Sequence, residues 1–154
     1  MFRMIKQVNS FLLLSILILS GCGGSEPENL ATKYSLVATA TPYINAMPSV
    51  LTPGQTETCI SLIIPFEITS KILPLPSDFS LKTVSIQKNE ASIWTQAVSK
   101  TETIFVSQQT IQGIARGCSP TIISAGETLE LRILVAAENS ETEVSTSAKL
   151  SVAY

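Results

Sequence analysis

Histidine is absent from this 154-residue chain, and aspartate occurs once, at Asp78. Without histidine there is no Ser-His-Asp set, no imidazole metal ligand and no imidazole to titrate near neutrality. No serine sits in Gly-x-Ser-x-Gly, and no glycine-rich phosphate loop is present. Charged residues make up only 14% and the net charge is −2, so there is no excess of Lys and Arg to neutralise nucleic-acid phosphates. Aromatics are 6%. No apolar run reaches the roughly 20 residues that cross a bilayer as a helix. The chain therefore reads as a non-enzyme that needs no cofactor and no metal and does not bind nucleic acid. Glu67 or Glu127 as an acid–base pair is only formally open, because nothing in the sequence pairs them.

What is present begins with an address. Arg3 and Lys6 precede a short apolar run from Phe11 to Leu19, followed by small residues. Positive flank, short apolar core and small residues are the parts of a secretory signal peptide. The run closes on Leu19, Ser20, Gly21 and Cys22. This resembles the lipobox of bacterial lipoproteins, in which the Cys is diacylated and becomes the new N-terminus; an ordinary cleaved signal with a chance Cys is the other reading. The resemblance covers residues 1–22. It implies a signal peptide over 1–21, a membrane anchor at Cys22 and a place in the cell envelope. Gly23 stands where an Asp retains enteric lipoproteins at the inner membrane, so the resemblance implies the outer membrane in a Gram-negative host, with surface and periplasmic faces both open. Two or more acyl chains anchor stably without spanning.

Loss of Arg3 and Lys6 with the leader leaves a net charge of about −4. Residues 22–33 read as the lipidated Cys and a small, polar, flexible tether of roughly 18 Å root-mean-square span.

Residues 34–154 alternate with period 2. Leu129, Leu131, Ile133, Val135 and Ala137 form one apolar face, and Val144, Thr146, Ala148, Leu150, Val152 and Tyr154 form another. Glu138-Asn139-Ser140-Glu141 lies between them as a hairpin turn. Ile60, Leu62, Ile64, Phe66 and Ile68 predict a third strand, and Pro65 places it at an edge or a bulge. Thr52-Pro53-Gly54-Gln55 and Ser124-Ala125-Gly126-Glu127 are turn signals. Weaker strands are expected over 34–41, 81–88, 92–98 and 102–107, with a turn at Lys88-Asn89-Glu90-Ala91. A helical turn is expected near 108–116, with Ile111 and Ile114 inward.

About seven short strands point to an all-β antiparallel sandwich. The pattern resembles the immunoglobulin-like domains of envelope lipoproteins, a likeness of fold class that carries no function. Trp94 departs from that family, lying too far after Cys59 for its usual Cys-then-Trp core. A small up-and-down β-barrel is the alternative.

With Cys22 taken by lipid, Cys59 and Cys118 remain as one pair, and exported pairs oxidise. A disulfide pinning a loop to a strand end is expected; a redox or metal pair lacks both CxxC spacing and histidine. Trp94 reads as a half-buried core residue or as a stacking platform for a small ligand or glycan. The apolar stretch from Ile72 to Phe79 is interrupted by Pro74 and Pro76. It reads either as a cap with Leu73 and Leu75 tucked in, or as an exposed interaction loop of Leu73, Leu75 and Phe79. Glu138, Glu141 and Glu143 read as a solvated turn. The functional expectation is a lipid-anchored module that binds an unknown protein partner or serves envelope assembly; the alternative is a small-ligand or glycan binder.

Overall fold

Alternating apolar residues need a second surface to cover them, and here two sheets cover each other. A computed structural model describes residues 29–46 and 59–153. The expected signal peptide, the lipobox Leu19-Ser20-Gly21 with Cys22, most of the tether, the Thr52–Gln55 turn and Tyr154 lie outside the described residues.

The elements run α1 (Leu30–Lys33), β1 (Leu36–Ala40), β2 (Tyr43–Asn45), β3 (Ser61–Ser70), β4 (Ser80–Lys88), β5 (Ala91–Ala97), a 3₁₀ turn (Lys100–Glu102), β6 (Ile104–Phe105), β7 (Thr110–Cys118), β8 (Thr128–Ala137), β9 (Ser140–Lys149) and β10 (Ser151–Ala153). One sheet has the order β10-β2-β3-β7-β6, with β1 also pairing β3; the other has the order β5-β4-β8-β9. The two sheets do not close into a barrel, so the arrangement is a β-sandwich. Between them pack Leu62, Ile64, Phe66 and Ile68 from β3 and Leu129, Leu131, Ile133 and Val135 from β8.

The expected C-terminal hairpin is present. Glu138 and Asn139 turn it with φ of 52° and 60°, and Asn89 and Glu90 turn β4 into β5 with φ of 51° and 65°. Two successive left-handed residues match the right-handed twist of the flanking strands. Gly126 has φ 84°, which suits the third position of the expected turn before β8.

Several expectations are corrected. Residues 108–116 hold no helical turn: β7 is a strand with Ile111 and Ala115 inward, while Ile114 faces the other way, opposite Pro65. Pro65 lies in a central strand rather than at an edge or bulge. Its carbonyl accepts from Thr41 N–H at 3.0 Å. A strand residue's nitrogen and oxygen point to the same side. The missing donor therefore falls where the neighbouring strand passes from β1 to β2 at Thr41 and Pro42. The strand expected over 102–107 is reduced to Ile104–Phe105. Ile60 precedes β3 and is exposed. The last strand breaks at buried Leu150, and β10 crosses to the other sheet to run parallel to β2. The folded body reaches before Tyr34, because α1 packs on it and Leu30 is buried in the core. No helix among the described residues is long and apolar enough to cross a membrane.

Candidate functional site

The sandwich has two unlike ends. The starts of β1, β4, β7 and β9 and the ends of β3, β5 and β8 meet at one of them, where the chain enters the body. Asn29 Oδ1 accepts from Ala31 N–H at 2.9 Å and from Thr142 Oγ1 at 2.6 Å, so it caps α1 and pins it to β9. Lys33 Nζ donates to Glu138 at 2.6 Å and the Tyr34 hydroxyl donates to the same carboxylate at 2.7 Å. These hydrogen bonds, Lys33 first, hold the Glu138 carboxyl below the usual range. The same carboxylate raises Lys33 and Tyr34 above theirs. Of the expected acidic turn, Glu138 is thus latched to α1, and Glu143 lies 3.5 Å from Arg132.

The stretch from Ile72 to Phe79 lies at this end and divides in two. Leu75 and Phe79 are buried, so they are core residues and not part of an exposed loop. Leu73 is 42% exposed and Ile72 62%, so Leu73 is not tucked in as a cap either. The tip is held out by its neighbours. Ser70 Oγ donates to the Tyr34 carbonyl at 2.9 Å and accepts from Leu73 N–H at 3.3 Å, and Leu75 N–H donates to the Gln108 carbonyl at 2.7 Å. Beside it, β6 is bonded to β7 on one side only, through Ile104 opposite Gln112 and Phe105 opposite Ile111. Ile104, Phe105 and Val106 are 63%, 49% and 55% exposed. A shallow cleft of about 450 Å³ opens between β4 and β6, with Leu81, Val98 and Phe105 as its apolar wall and Lys82 and Lys100 on its lining.

The other end carries the Cys59–Cys118 disulfide, which joins the start of β3 to the end of β7. Trp94 on β5 is half-buried against the core, and its indole N–H donates to the Cys118 carbonyl at 2.9 Å, across from one sheet to the other. Its polar atom is engaged within the protein. Gln96 lies over Gly117 on the same side. Lys88 Nζ donates to Glu127 at 2.9 Å and to the Ile122 carbonyl at 3.0 Å. The Lys88 hydrogen bond, with one from Ser124 N–H, holds the Glu127 carboxyl below the usual range. Glu67 on β3 accepts from Thr69 of the same strand and from Gln112 of β7. It is not brought together with Glu127.

Among the described residues no three His, Cys, Asp or Glu side chains gather into a group able to hold a metal ion. The exposed β6 edge escaped the sequence reading, although its signal is visible: three consecutive apolar residues cannot all face inward in a strand. No protein-family model matches the chain, and no curated protein matches its sequence.

Proposed function

We propose that the protein is a lipid-anchored envelope module, acylated at Cys22, whose sandwich is of the immunoglobulin-like kind and binds a partner polypeptide without catalysing a reaction. The order β1/β2-β3-β7-β6 supports the fold reading, since it follows the A-B-E-D sheet of that class; β4-β8-β9 follows C-F-G, with β5 added beside the first. The disulfide departs from it, lying within one sheet instead of bridging two. The histidine-free composition supports a non-catalytic role. In a Gram-negative host the anchor belongs to the outer membrane.

One observation carries the binding reading. The β6 edge offers open backbone groups on its outer side together with three exposed apolar side chains. Natural sheets protect an edge by keeping it short or with charge, proline or a covering segment, because it accepts another strand; β6 is only two residues long but has neither charge nor proline. A partner that adds an extended segment there gains main-chain hydrogen bonds and buries Ile104, Phe105 and Val106. The test is in-cell crosslinking from a photoreactive residue at Phe105, with exposed Ser147 on β9 as the control position. A single discrete adduct from position 105, absent from 147 and lost with Ile104→Pro, is the expected result. Equal labelling at both positions, or none at either, overturns the reading. Protease shaving of intact cells then tells which membrane face the module occupies.

A further inference from the structure

We propose that the chain-entry end of the sandwich seats directly on the bilayer, with Ile72 and Leu73 at the headgroup–acyl boundary and Lys71, Lys82 and Lys100 against lipid phosphates. This rests on the reading of Cys22 as the anchor.

The argument begins with length. Only Gly23 to Glu28 separate Cys22 from Asn29, which caps α1 and is held to β9. Fully extended, that connection spans at most about 25 Å. As a flexible coil it averages roughly 14 Å. The ten-residue strands β3, β8 and β9 are each about 33 Å long. The disulfide end therefore cannot be turned down onto the membrane by a body standing upright, because the spacer is shorter than the strands. The end that holds Asn29 stays near the lipid.

That same end carries the apolar tip. Among the described residues, Val37, Ile72, Leu73, Ile104, Phe105 and Val106 are large, exposed and apolar, and lie in this half; Ile60 and Ile122 lie in the other. Ile72 and Leu73 are presented rather than left loose, since hydrogen bonds at Ser70, Leu73 and Leu75 fix the loop on both sides. Apolar side chains held in water lose nothing by entering the acyl boundary and gain from burial.

Charge at this end is mixed, with Glu67 on β3 and exposed Glu141 at the start of β9 forming no ion pair among the described residues. Asp78 accepts from Glu138 N–H, Glu138 pairs with Lys33, and Glu102 pairs with Arg116. Exposed Lys71, Lys82 and Lys100 form no ion pair among the described residues. Three cations without an ion pair thus stand around the apolar tip, with Asp78 and Glu141 beside Lys82. A protein partner for this tip would have to fit between the body and the lipid within the spacer's reach, so the bilayer itself is the occupant the geometry favours.

The test uses the purified lipidated chain in phosphatidylcholine–phosphatidylglycerol vesicles. With Cys22 acylated and Cys59–Cys118 oxidised, a cysteine introduced by Leu73→Cys or Ile122→Cys is the one free thiol for a nitroxide label. The label at 73 is expected to be several-fold less accessible to an aqueous nickel chelate than the label at 122, and more accessible to oxygen. That protection is expected to weaken when Lys71, Lys82 and Lys100 are all changed to Gln, and to vanish in a vesicle-free Cys22→Ser chain. Equal accessibility at 73 and 122 in vesicles that float with the protein overturns the inference and leaves the anchor intact. Failure of the chain to float overturns the anchor and the inference with it. Protection that persists without vesicles means a second copy covers the tip, which also overturns it.

Discussion

Gly113 shows how one missing side chain shapes this core. It stands on the inner face of β7, between Ile111 and Ala115. A Cβ built there would meet Leu81 Cδ1 at 2.6 Å and Phe66 Cζ at 2.7 Å. Both neighbours are buried, so neither moves away without disturbing others. Phe66 from β3 thus occupies the space that β7 leaves open. Gly113→Ala is expected to cost about 1–3 kcal/mol, as overpacking of a tight core does. Chemical unfolding measures it. The loss is expected to be smaller in a Phe66→Leu background, because contacting residues couple. Equal losses in both backgrounds would mean that Phe66 is not the obstacle. Trp94 is a second residue whose polar group explains its place. Its indole N–H on the Cys118 carbonyl joins the sheets at the disulfide end, which makes its fluorescence a reporter of that end.

At the scale of elements, β3 and β7 form the spine of the larger sheet, paired from Ser61–Cys118 to Thr69–Thr110. The disulfide closes that ladder at one end, over a sequence separation of 59 residues. Replacing both cysteines by serine is expected to lower stability by about 4 kcal/mol in the chain-entropy description. Denaturant unfolding followed at Trp94 tests it, and an unchanged midpoint would remove the disulfide from the account of stability. β3 and β8 were legible in the sequence because their inward residues are large and alternate, and β9 because Val144 and Ala148 alternate with polar residues. β7 was not. Its inner face reads Ile111, Gly113, Ala115, Gly117, and small residues hide a period that only the partner strand completes. The place of Pro65 was equally hidden, since the break between β1 and β2 is a property of the neighbours. The candidate site was legible in part. The Ile72–Phe79 stretch was visible as unusual, but the division into buried Leu75 and Phe79 and exposed Ile72 and Leu73 depends on the carbonyls of Tyr34 and Gln108, distant in sequence, which accept from Ser70 Oγ and Leu75 N–H.

For the whole molecule, the placement of its few bonded charges sets the response to pH. Glu138 ties α1 to the β8–β9 turn, and Glu127 ties Lys88 to the segment before β8, at opposite ends. Both carboxyls are held below their ordinary range by their hydrogen-bonding partners. In the acid window between the ordinary carboxylate value of about 4.3 and these lowered values, the unfolded chain binds more protons than the folded one. Stability contributed by these groups is therefore present above that window and lost as pH falls through it. Lys33 and Tyr34 shift the other way, raised chiefly by the hydrogen bond to Glu138. Their contribution is complete below about pH 10 and is lost as pH rises through the raised values. Between these limits there is no histidine to titrate, and Cys59 and Cys118 are oxidised. Thermal unfolding from about pH 6 to 9 is accordingly expected to give one constant midpoint, falling on both sides. The acid fall should become shallower in the Glu138→Gln, Glu127→Gln double variant, and the alkaline fall shallower in Lys33→Gln. A midpoint that moves between pH 6 and 7 would show that another group of the chain is linked to folding, while an acid limb unchanged in the double variant would place the protonation elsewhere.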